Sequence, residues 1–539
     1  MPTCGEVLVK LLEAYGVELI FGIPGVHTVE LYRGLPATRI RHVTPRHEQG
    51  AGFMADGYAR VSGKPGVCFI VTGPGMTNIA TAMGQAYADS IPMLVISAVN
   101  SREQLGMAQG RLHELRSQQN LVAGVAAFSH TLLDAAQLPG ILACAFAVFA
   151  SQRPRPVHIE IPLDVIVSDM SDVPVIAWAL PSQPGPSLEA VREAAALLKM
   201  AKRPFIIAGG GAADAAPDIR SIAENLDAPV FMTINGKGIL PPDHPLALSG
   251  NLAMAPLREE LAESDVVLAI GTEFGETEMY PEPHPIAIGG RLIRIDIDPL
   301  QLTTAVPATV PIASGSRQAC AAIREALGQS GRTVKREDGG ARAKALRAKV
   351  DEMLWPACRI HRKLIQTVMS ALPDAIIAGD QTEPVYAANQ FHQSPAPRSY
   401  FNSSTGYGTL GYGLPAAFGA KLAAPERPAV CLIGDGGLQF SLPELASAVE
   451  ARISTAVIVW NNGSYGEIKV FMAERNIPQI GVDIFTPDLV MLAKSMGCAA
   501  SRPESIAQLT RDLVASAAQS VPTLIEIKAD SALARALEE

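Results

Sequence analysis

The stretch that decides the fold runs from Cys431 to Asn462 and reads CLIGDGGLQFSLPELASAVEARISTAVIVWNN. Its first apolar run ends in Gly434-Asp435-Gly436, and a second run, rich in β-branched residues, ends in Asn461-Asn462. The capping-box pattern Ser441-x-x-Glu444 predicts that a helix opens between the two runs. A strand–helix–strand unit places its strands parallel, with both carboxyl ends at one edge of a sheet. We therefore expect Asp435 and Asn462 to lie side by side.

The chemistry of this edge suits a divalent cation and a diphosphate. The carboxylate of Asp435 and the amide oxygen of Asn462 are hard ligands of the kind that Mg²⁺ takes together with phosphate oxygens. Gly436 and Gly437 let the backbone approach those phosphates, and the dipole of the following helix favours their negative charge. A Gly-Asp-Gly alone is also an ordinary turn, but the Asn-Asn pair one helix and one strand later makes a diphosphate cradle the preferred interpretation.

Length and composition exclude several classes of function. The 539 residues are too many for one core, and 48% of them are apolar, so several large cores can form. A net charge of −9 without a Lys/Arg block gives no support to nucleic-acid binding. No apolar run reaches membrane-spanning length and the first residues do not resemble a signal peptide, so we expect a cytoplasmic protein without a membrane partner. Seven scattered cysteines without a CxxC pair argue against a disulfide framework and a zinc site.

Three α/β blocks are predicted along the chain. Short apolar runs alternate with helical patterns throughout, which is typical of doubly wound parallel sheets. The blocks cover residues 1–170, 188–330 and 345–539, and the third contains the cradle. They are separated by linker-like composition, Pro/Ser-rich at residues 173–187 and polar and charged at residues 328–340. The first and third blocks share their strand–turn–helix order, which suggests a distant duplication.

Four further stretches, together with the cradle, resemble one family. The pyrimidine-binding domain of thiamine-diphosphate enzymes of the acetolactate synthase and pyruvate decarboxylase type is similar to Phe21-Gly22-Ile23-Pro24-Gly25, Arg46-His47-Glu48-Gln49-Gly50-Ala51 and Gly73-Pro74-Gly75-Met76-Thr77-Asn78. The motif that precedes Gly-Asp-Gly in those enzymes is similar to Gly406-Tyr407-Gly408-Thr409-Leu410-Gly411-Tyr412-Gly413-Leu414-Pro415-Ala416-Ala417. The resemblance covers essentially the whole chain, in the order pyrimidine-binding, central and diphosphate-binding domain. Five motifs in one order make it specific.

The resemblance implies thiamine diphosphate and Mg²⁺ as cofactors and an active site shared between subunits. In such enzymes the pyrimidine lies on one subunit and the diphosphate on the other, so a homodimer or a homotetramer is expected. Glu48 matches the glutamate that hydrogen-bonds the pyrimidine ring. A carboxylate at that place promotes the imino form of the cofactor, whose nitrogen removes the proton from the thiazolium carbon C2.

The same resemblance assigns the rest of the site. Asp435, Asn462 and the backbone carbonyl of Ser464 match the magnesium ligands. Leu410 matches the apolar residue that props the cofactor into a bent form, and Gly408 would offer it a carbonyl. The expected cofactor contacts are Pro24, Gly25, Glu48, Thr72, Asn78, Gln381, Thr382, Gly408, Leu410, Gly434, Gly436, Gly437, Asn462, Ser464 and Tyr465.

For three of these residues a purely structural role competes with the cofactor role. Asn78 would also suit a helix cap. Gln381 and Thr382 end the sequence Gly379-Asp380-Gln381-Thr382 after a predicted strand, and this sequence would also suit a plain turn.

For FAD, two parts of the sequence give opposite indications. Acetolactate synthases carry it in the central domain, to which Asn235-Gly236-Lys237-Gly238 and Asp296-Ile297-Asp298-Pro299 are similar. After Gly250, however, the chain reads Asn251-Leu252-Ala253-Met254 instead of the Gly-Met-His-Gly common in members that bind a flavin. This departure argues against FAD.

His113 is the residue that we expect to handle a proton. Family chemistry begins on a 2-oxo acid that loses CO₂, with the cofactor as electron sink. Val26 stands where decarboxylases of the pyruvate type have an acidic proton donor, and no His-His pair follows in the sequence. His113, in Arg111-Leu112-His113-Glu114, falls where acetolactate synthases have glutamine. The competing interpretation is a surface histidine in a helical stretch.

Glu467 is the residue that we expect to select the substrate. It lies in Tyr465-Gly466-Glu467-Ile468-Lys469, directly after the metal ligands, where family members that use small apolar 2-oxo acids tend to have apolar residues. A carboxylate within one turn of Ser464 suits a cationic tail such as guanidinium, whose fork of N–H donors matches two oxygens. The competing interpretation is a capping box, Ser464-x-x-Glu467, that only satisfies backbone N–H groups. Lys469 is expected to face solvent.

Two enzyme hypotheses follow. The preferred one is non-oxidative decarboxylation of a 2-oxo acid, with 5-guanidino-2-oxopentanoate (2-ketoarginine) as the specific substrate. The alternative is an acetolactate synthase-like carboligase that uses pyruvate. A cofactor-binding homologue without chemistry is disfavoured, because Glu48, Leu410, Asp435 and Asn462 occur together. A dinucleotide-binding dehydrogenase is weaker still, since Gly209-Gly210-Gly211 follows a strand without forming a GxGxxG.

Overall fold

The chain divides into two compact units in the computed structural model. The structure describes residues 1–279, 286–328 and 334–538. Unit 1 is made of Met1–Pro181, Ala378–Thr382 and Tyr407–Ala529. Unit 2 is made of the described residues of Ser182–Ile377, Glu383–Gly406 and Asp530–Glu539.

The strands are short and mostly apolar, as buried strands of parallel sheets are. In chain order they are β1 Leu19–Gly22, β2 Arg41–Val43, β3 Gly66–Ile70, β4 Met93–Val99, β5 Phe128–Thr131, β6 Val157–Pro162, β7 Pro204–Ala208, β8 Val230–Met232, β9 Ala247–Leu248, β10 Val266–Ile270, β11 Arg291–Asp296, β12 Val310–Ala313, β13 Ile376–Gly379, β14 Tyr400–Asn402, β15 Ala429–Gly434, β16 Ala456–Asn461, β17 Ala499–Ser501 and β18 Thr523–Lys528.

Helices alternate with these strands. In chain order they are α1 Cys4–Ala14, α2 Val29–Tyr32, α3 Glu48–Ser62, α4 Pro74–Ala88, α5 Gln118–Val122, α6 Leu138–Ser151, α7 Leu163–Ile166, α8 Leu188–Met200, α9 Ala216–Leu226, α10 Ala255–Glu263, α11 Glu276–Met279, α12 Ser316–Gly328, α13 Gly339–Met353, α14 Cys358–Ala371, α15 Glu383–Phe391, α16 Gly413–Ala423, α17 Asp435–Ser441, α18 Glu444–Glu450, α19 Gly466–Glu474, α20 Leu489–Ser495, α21 Ile506–Ala517 and α22 Ala532–Glu538.

Three six-stranded parallel sheets confirm the predicted α/β class. Their strand orders are β2-β1-β3-β4-β6-β5, β12-β11-β10-β7-β8-β9 and β14-β13-β15-β16-β18-β17. Counted from its own first strand, the third sheet repeats the order of the first, as expected of duplicated blocks. The central sheet has the order 6-5-4-1-2-3, which is the doubly wound arrangement of dinucleotide-binding folds.

The helices bury apolar faces with helical spacing. In α9, for example, the residues Ile219, Ile222, Ala223 and Leu226 are fully buried while those between them are largely exposed. Burial of each large aliphatic side chain contributes about 1.5–3 kcal/mol, so these faces hold the helices on their sheets. None of the described helices is both long and apolar enough to cross a membrane.

Two of the predicted boundaries can be compared with the structure. Residues 173–187, the first predicted linker, contain no helix or strand. The second predicted linker, residues 328–340, includes residues 329–333, which lie outside the described residues, and α13 begins within it at Gly339.

The predicted capping box Ser441-x-x-Glu444 is wrong. Helix α17 begins at Asp435 itself and ends at Ser441, and α18 begins at Glu444 with Pro443 as its N-cap and no side-chain cap. The Gly-Asp-Gly turn therefore passes straight into a helix, which brings the helix N-terminus closer to the strand end than the sequence pattern indicated.

The first and third sheets each have a crevice that lies between the loops after two neighbouring strands. In the first sheet β1 and β3 are neighbours, and the chain moves to opposite sides of this pair, so the crevice beyond their carboxyl ends is a topological switch point. The strands β13 and β15 occupy the same positions in the third sheet. Ligands of open α/β sheets bind at such points, which directs attention to the loops after these four strands.

Candidate active site

The predicted diphosphate cradle is built where β15 runs into α17. A Cβ added to Gly436 would lie 2.8 Å from the ring of Tyr465, and one added to Gly437 would lie 2.9 Å from Asp380 Oδ1. Any side chain at these two positions would displace a neighbour, so glycine is required for the backbone to run here. The first backbone N–H groups of a helix have no partner within the helix and point at an anion placed there.

The predicted metal ligands are held together by hydrogen bonds at the ends of β15 and β16. The carboxylate of Asp435 is buried, its Oδ1 accepts a hydrogen bond from the backbone N–H of Asn462 at 3.3 Å, and its Oδ2 accepts one from the Thr486 hydroxyl at 2.5 Å. Asn462 Oδ1 accepts from the backbone N–H and the hydroxyl of Ser464, at 3.1 and 3.2 Å. Thr486, which the sequence did not single out, orients the carboxylate.

The donor set fits a hard cation. It consists of one carboxylate, one amide oxygen and one backbone carbonyl, to which phosphate oxygens can add, and this is the coordination that Mg²⁺ accepts. Within the described part of the chain, no group of three or more His, Cys, Asp or Glu side chains could hold a metal. The neighbouring Asn461 donates through Nδ2 to Glu526 Oε1 at 2.6 Å, which anchors the end of β16.

Asp380 is a buried organiser that sequence reasoning missed. Its Oδ1 accepts from the backbone N–H of Gln381 at 2.8 Å and its Oδ2 from that of Gly413 at 2.9 Å. Burial raises the pKa of Asp380 to about 6, although the surrounding backbone N–H groups oppose the shift. The carboxylate thus ties the turn that carries Gln381 and Thr382 to the first turn of α16. The side-chain oxygen of Thr382 lies 3.2 Å from the position of a Cβ on Gly434.

Three glycines in the segment before α16 adopt a backbone conformation that other residues rarely adopt. Gly406, Gly408 and Gly411 all have φ between 72° and 77°, where other residues are strained. Gln381 Nε2 lies 3.7 Å from the position of a Cβ on Gly408, so this predicted contact and Gln381 are neighbours. Leu410 is half-buried, which leaves part of its side chain open to a ligand.

On the pyrimidine side, Glu48 and Asn78 form a pair. Glu48 is the first residue of α3 and is half-buried, and its Oε2 accepts a hydrogen bond from Asn78 Nδ2 at 2.9 Å. Its Oε1 lies 3.4 Å from the position of a Cβ on Gly75. Asn78 lies inside α4, whose N-cap is Gly73, so the helix-cap interpretation of Asn78 is wrong.

The loops after β1 and β3 are closed by hydroxyl groups. The Thr28 hydroxyl accepts from the backbone N–H of Gly25 at 2.9 Å and donates to its carbonyl at 3.1 Å. Pro24 is exposed beside it. Thr72 is fully buried and its hydroxyl donates to Gln118 Oε1 at 2.8 Å. Its side chain therefore supports the loop from the protein interior.

Gln118 is a second residue that sequence reasoning missed. Its Oε1 also accepts from the backbone N–H of Gly73 at 3.1 Å, and its Nε2 donates to Ser97 Oγ at 2.8 Å and to Glu160 Oε2 at 3.1 Å. Burial raises the pKa of Glu160. A fully bonded buried amide of this kind rigidifies the turn it holds. The sequence offered no signal for this role, because Ser117, which caps α5, does not indicate what the next residue contacts.

The structure corrects the expected setting of His113. This residue lies in a turn before α5 rather than in a helix, with φ of 62°, and its side chain is half-buried. Its ring faces the ring of His27, which the sequence analysis did not single out.

Glu467 lies in the first turn of α19 and is exposed. The N-cap of α19 is Tyr465, without a side-chain cap, and the hydroxyl of Ser464 is turned to Asn462, so Ser464 does not form the predicted capping box. Lys469 was expected to face solvent; its side chain is partly exposed, and its Nζ donates to Asp483 Oδ1 at 2.5 Å. The cation nearest to Glu467 in sequence is therefore paired with another carboxylate.

Fold and site together are those of a cofactor-dependent α/β enzyme, with a Gly-Asp-Gly turn that fits a diphosphate and a hard cation on one sheet and a hydrogen-bonded glutamate–asparagine pair on another. Family models match residues from each of the three sheets: "Thiamine pyrophosphate enzyme, N-terminal TPP binding domain" at residues 2–121, "Thiamine pyrophosphate enzyme, central domain" at residues 191–323 and "Thiamine pyrophosphate enzyme, C-terminal TPP binding domain" at residues 381–527. The chain belongs to the thiamine pyrophosphate enzyme family, as the resemblance of its motifs predicted.

Whole-length relatives agree with this assignment. The chain is 48% identical over 529 residues to "Probable 2-ketoarginine decarboxylase AruI" of Pseudomonas aeruginosa, covering 98% of this chain and 94% of that protein. It is 33% identical over 476 residues to "Acetolactate synthase isozyme 1 large subunit" of Escherichia coli, covering 86% and 82%. It is 31% identical over 553 residues to "Probable acetolactate synthase large subunit" of Methanocaldococcus jannaschii, covering 98% and 92%.

Proposed function

We propose that this chain is a decarboxylase of 5-guanidino-2-oxopentanoate (2-ketoarginine) that uses thiamine diphosphate and Mg²⁺. The observation that carries the proposal is the 48% identity, over nearly the full length of both chains, to a protein named for that activity. The acetolactate synthases are more distant, at 33% and 31% identity.

The residues of the site have distinct tasks in this proposal. When bound, thiamine diphosphate supplies the nucleophilic carbon and the electron sink for the loss of CO₂. Asp435, Asn462 and the carbonyl of Ser464 would hold Mg²⁺ against the diphosphate. Glu48 would hold a proton on its carboxylate, and Asn78 fixes the orientation of that carboxylate through Oε2.

Glu467 would recognise the guanidinium group. It is an exposed carboxylate in the first turn of α19, and this helix begins two residues after Ser464. A carboxylate accepts two N–H groups of a guanidinium in parallel, and such charge-assisted hydrogen bonds contribute about 1.5–3 kcal/mol.

The deciding experiment measures CO₂ release and aldehyde formation with Mg²⁺ and thiamine diphosphate present. The substrates are 5-guanidino-2-oxopentanoate, 2-oxoheptanoate, which has similar length but an apolar tail, and pyruvate. We expect turnover of the guanidino acid in clear preference to the other two. Glu467→Gln should lower kcat/KM for the guanidino acid by about 10- to 100-fold and leave that for 2-oxoheptanoate within about 2-fold.

A matched control is available on the same helix. Glu474 ends α19 and is exposed, so Glu474→Gln removes the same charge without the expected effect on either substrate. Equal losses on both substrates in Glu467→Gln would refute the specificity role. Formation of acetolactate from pyruvate, with no use of the guanidino acid, would instead identify a carboligase.

Three further properties belong to this proposal. The active site is completed in a homodimer or homotetramer. In the family, one subunit supplies the residues that contact the pyrimidine and a second subunit supplies those that contact the diphosphate of the same cofactor. FAD is not proposed, since Asn251, in the segment that departs from flavin-binding members, uses its amide group within the chain: Nδ2 donates to Thr277 O at 2.7 Å and Oδ1 accepts from Ala253 N at 2.8 Å. The cytoplasmic location stays a prediction from the sequence.

A further inference from the structure

Two histidine rings from distant parts of unit 1 face each other beside the loops after β1 and β3. The centroids of His27 and His113 are 5.0 Å apart and their planes are inclined by 35°. His27 is 6% exposed, and the Nδ1 atoms of both rings are shielded from solvent. Neither Nδ1 has a hydrogen-bond partner among the residues that the structure describes. Leaving a buried polar atom without a partner costs about 1–3 kcal/mol, so the pair is unfavourable for folding alone.

The backbone holds His113 in this place at a further cost. Its φ of 62° lies in the left-handed region, which costs a residue other than glycine about 1–3 kcal/mol. Gly73 makes the close packing possible, because a Cβ at that position would lie 2.6 Å from the carbonyl oxygen of His113 and 3.0 Å from its Cα. Costs of this kind concentrate at functional sites.

The same turn connects the pair to the pyrimidine-side glutamate. Gly73 contacts His113, and Gly75, two residues later, lies beside Oε1 of Glu48. Two residues span at most about 7 Å, so the pair and Glu48 line neighbouring parts of one crevice. His27 enters the crevice from the loop that Thr28 closes on Gly25.

The electrostatics of the pair favour a single proton. Burial lowers the pKa of His27, and a charge on His113 lowers it further. Among the described residues, His113 is the one titratable side chain that contributes to the lowered pKa of His27. Next to His113, the backbone N–H of Arg111 donates to Glu114 Oε2 at 2.9 Å, and the Arg111 guanidinium donates to Gln109 Oε1 at 3.4 Å. Protonation of one ring therefore opposes protonation of the other.

We infer that His27 and His113 act as one proton-donating pair that protonates the substrate carbon after CO₂ has left. The inference rests on the proposed function and adds His27 to it. Decarboxylation of R–CO–COO⁻ to R–CHO and CO₂ consumes one proton. The electron pair left by the departing CO₂ forms the new C–H bond, the N–H bond of the protonated ring breaks, and the pair regains its proton from water.

The existence of the pair is tested on the full-length protein without added cofactor. The chain has ten histidines, so ¹³C-labelled histidine rings give a countable set of NMR signals, and His27→Gln assigns the signal of His27. In His113→Gln the pKa of His27 should rise by about half a unit or more, because a repelling charge about 5 Å away has been removed. His130→Gln, on strand β5, should leave it unchanged. An unchanged pKa of His27 in a folded His113→Gln protein would overturn the inference.

The role of the pair is tested by separating CO₂ loss from protonation. Ferricyanide oxidises the reaction centre before it is protonated, so ferricyanide reduction reports CO₂ loss, while aldehyde release also requires the proton. In both His27→Gln and His113→Gln we expect aldehyde release to fall by about 100-fold or more and ferricyanide reduction to stay within about 3-fold. A parallel fall of both rates would show a structural role only and would overturn the inference. If the wild-type protein decarboxylates none of the acids tested, the proposed function fails while the NMR result still decides whether the pair exists.

Discussion

The carboxylate of Glu444 accepts a hydrogen bond from the backbone N–H of His47 at 2.9 Å, although the two residues lie 397 positions apart. The same oxygen accepts from the backbone N–H of Arg46 at 3.1 Å. Glu48 follows directly, so Glu444 fixes the turn that presents the pyrimidine-side glutamate. Gly50 leaves room for this contact, because a Cβ there would lie 2.3 Å from Glu444 Oε1. A residue of the diphosphate-binding block thereby positions a residue of the pyrimidine-binding block.

Replacing Glu444 by Gln should remove a pH dependence of stability. Burial raises the pKa of Glu444 from 4.5 to about 7, against the opposing hydrogen bonds. The folded state therefore prefers the protonated form, and this contribution is full below about pH 4.5 and is lost as the pH rises through 7. Between pH 5 and pH 8 the Tm of the wild type should fall, relative to that of Glu444→Gln, by roughly 3–5 °C in calorimetry.

Glu450→Gln is the matched control for this measurement. Glu450 ends the same helix and pairs with Arg46, but its side chain is 56% exposed, so removing its charge should change stability little at any pH. A difference in Tm between wild type and Glu444→Gln that is constant from pH 5 to pH 8 would contradict the assignment.

The cradle makes a graded prediction for cofactor binding. Asp435→Asn removes the only charged ligand of the proposed magnesium site and should raise the Kd of thiamine diphosphate, measured calorimetrically with Mg²⁺ present, by about 100-fold or more. Thr486→Val removes only the hydroxyl that orients Asp435 and should raise it by about 10-fold. Asp483→Asn, an exposed carboxylate in the same region, serves as control. Wild-type affinity in Asp435→Asn would place the metal elsewhere.

The pairing of Asn78 with Glu48 predicts a loss of proton transfer without a loss of binding. Glu48→Gln should slow deuterium exchange at C2 of the bound cofactor by about 100-fold or more, because it removes the group that exchanges a proton with the pyrimidine. Asn78→Ala should slow it by about 10-fold, since the carboxylate loses one of its orienting contacts. The Kd of the cofactor should change only a few-fold in either variant.

The neighbouring Thr77 provides the control for this experiment. Its hydroxyl donates to the carbonyl of Pro74 within the same helix and its side chain is exposed, so Thr77→Ala should exchange at the wild-type rate. Deuterium exchange at the wild-type rate in Glu48→Gln would show that Glu48 does not take part in proton transfer.

The fold could be predicted from the sequence because its strands are continuous apolar runs. The two apolar runs of the Cys431–Asn462 stretch are the strands β15 and β16 of the structure. The strands β2 and β5 were missed because they are short, lie at the edges of the first sheet and mix polar with apolar residues. Period and length, which carry the signal for a strand, are weak in such segments.

The residues of the site could be predicted only where they belong to a local sequence motif. Asp435 and Asn462 follow strand ends in sequence, so topology alone brings them together. Gln118, Asp380 and the pairing of His27 with His113 depend on contacts between segments far apart in the chain, and no local pattern marks them. Glu444 was misinterpreted for the same reason, since a capping box and a long-range acceptor look alike in sequence.

Unit 2 contains a buried lysine whose charge should reduce stability at neutral pH. Lys237 is 2% exposed, and its Nζ donates to the carbonyl of His392 at 2.8 Å. Burial lowers the pKa of Lys237 from 10.5 to about 8, although the charge of Glu278 opposes this. The folded state therefore prefers the neutral amine, and its contribution is full above about pH 10.5 and is lost as the pH falls through 8.

Replacing Lys237 by Met should remove the loss of stability that protonation of the buried amine causes, because methionine fills similar space without a charge. From pH 10 down to pH 7 the Tm of the wild type should fall relative to that of Lys237→Met by roughly 3–6 °C. Lys363→Met, which removes an exposed lysine on α14, should show no such trend. A relative Tm that does not vary with pH would mean that the buried amine stays protonated throughout, held by the charge of Glu278 more strongly than burial opposes it.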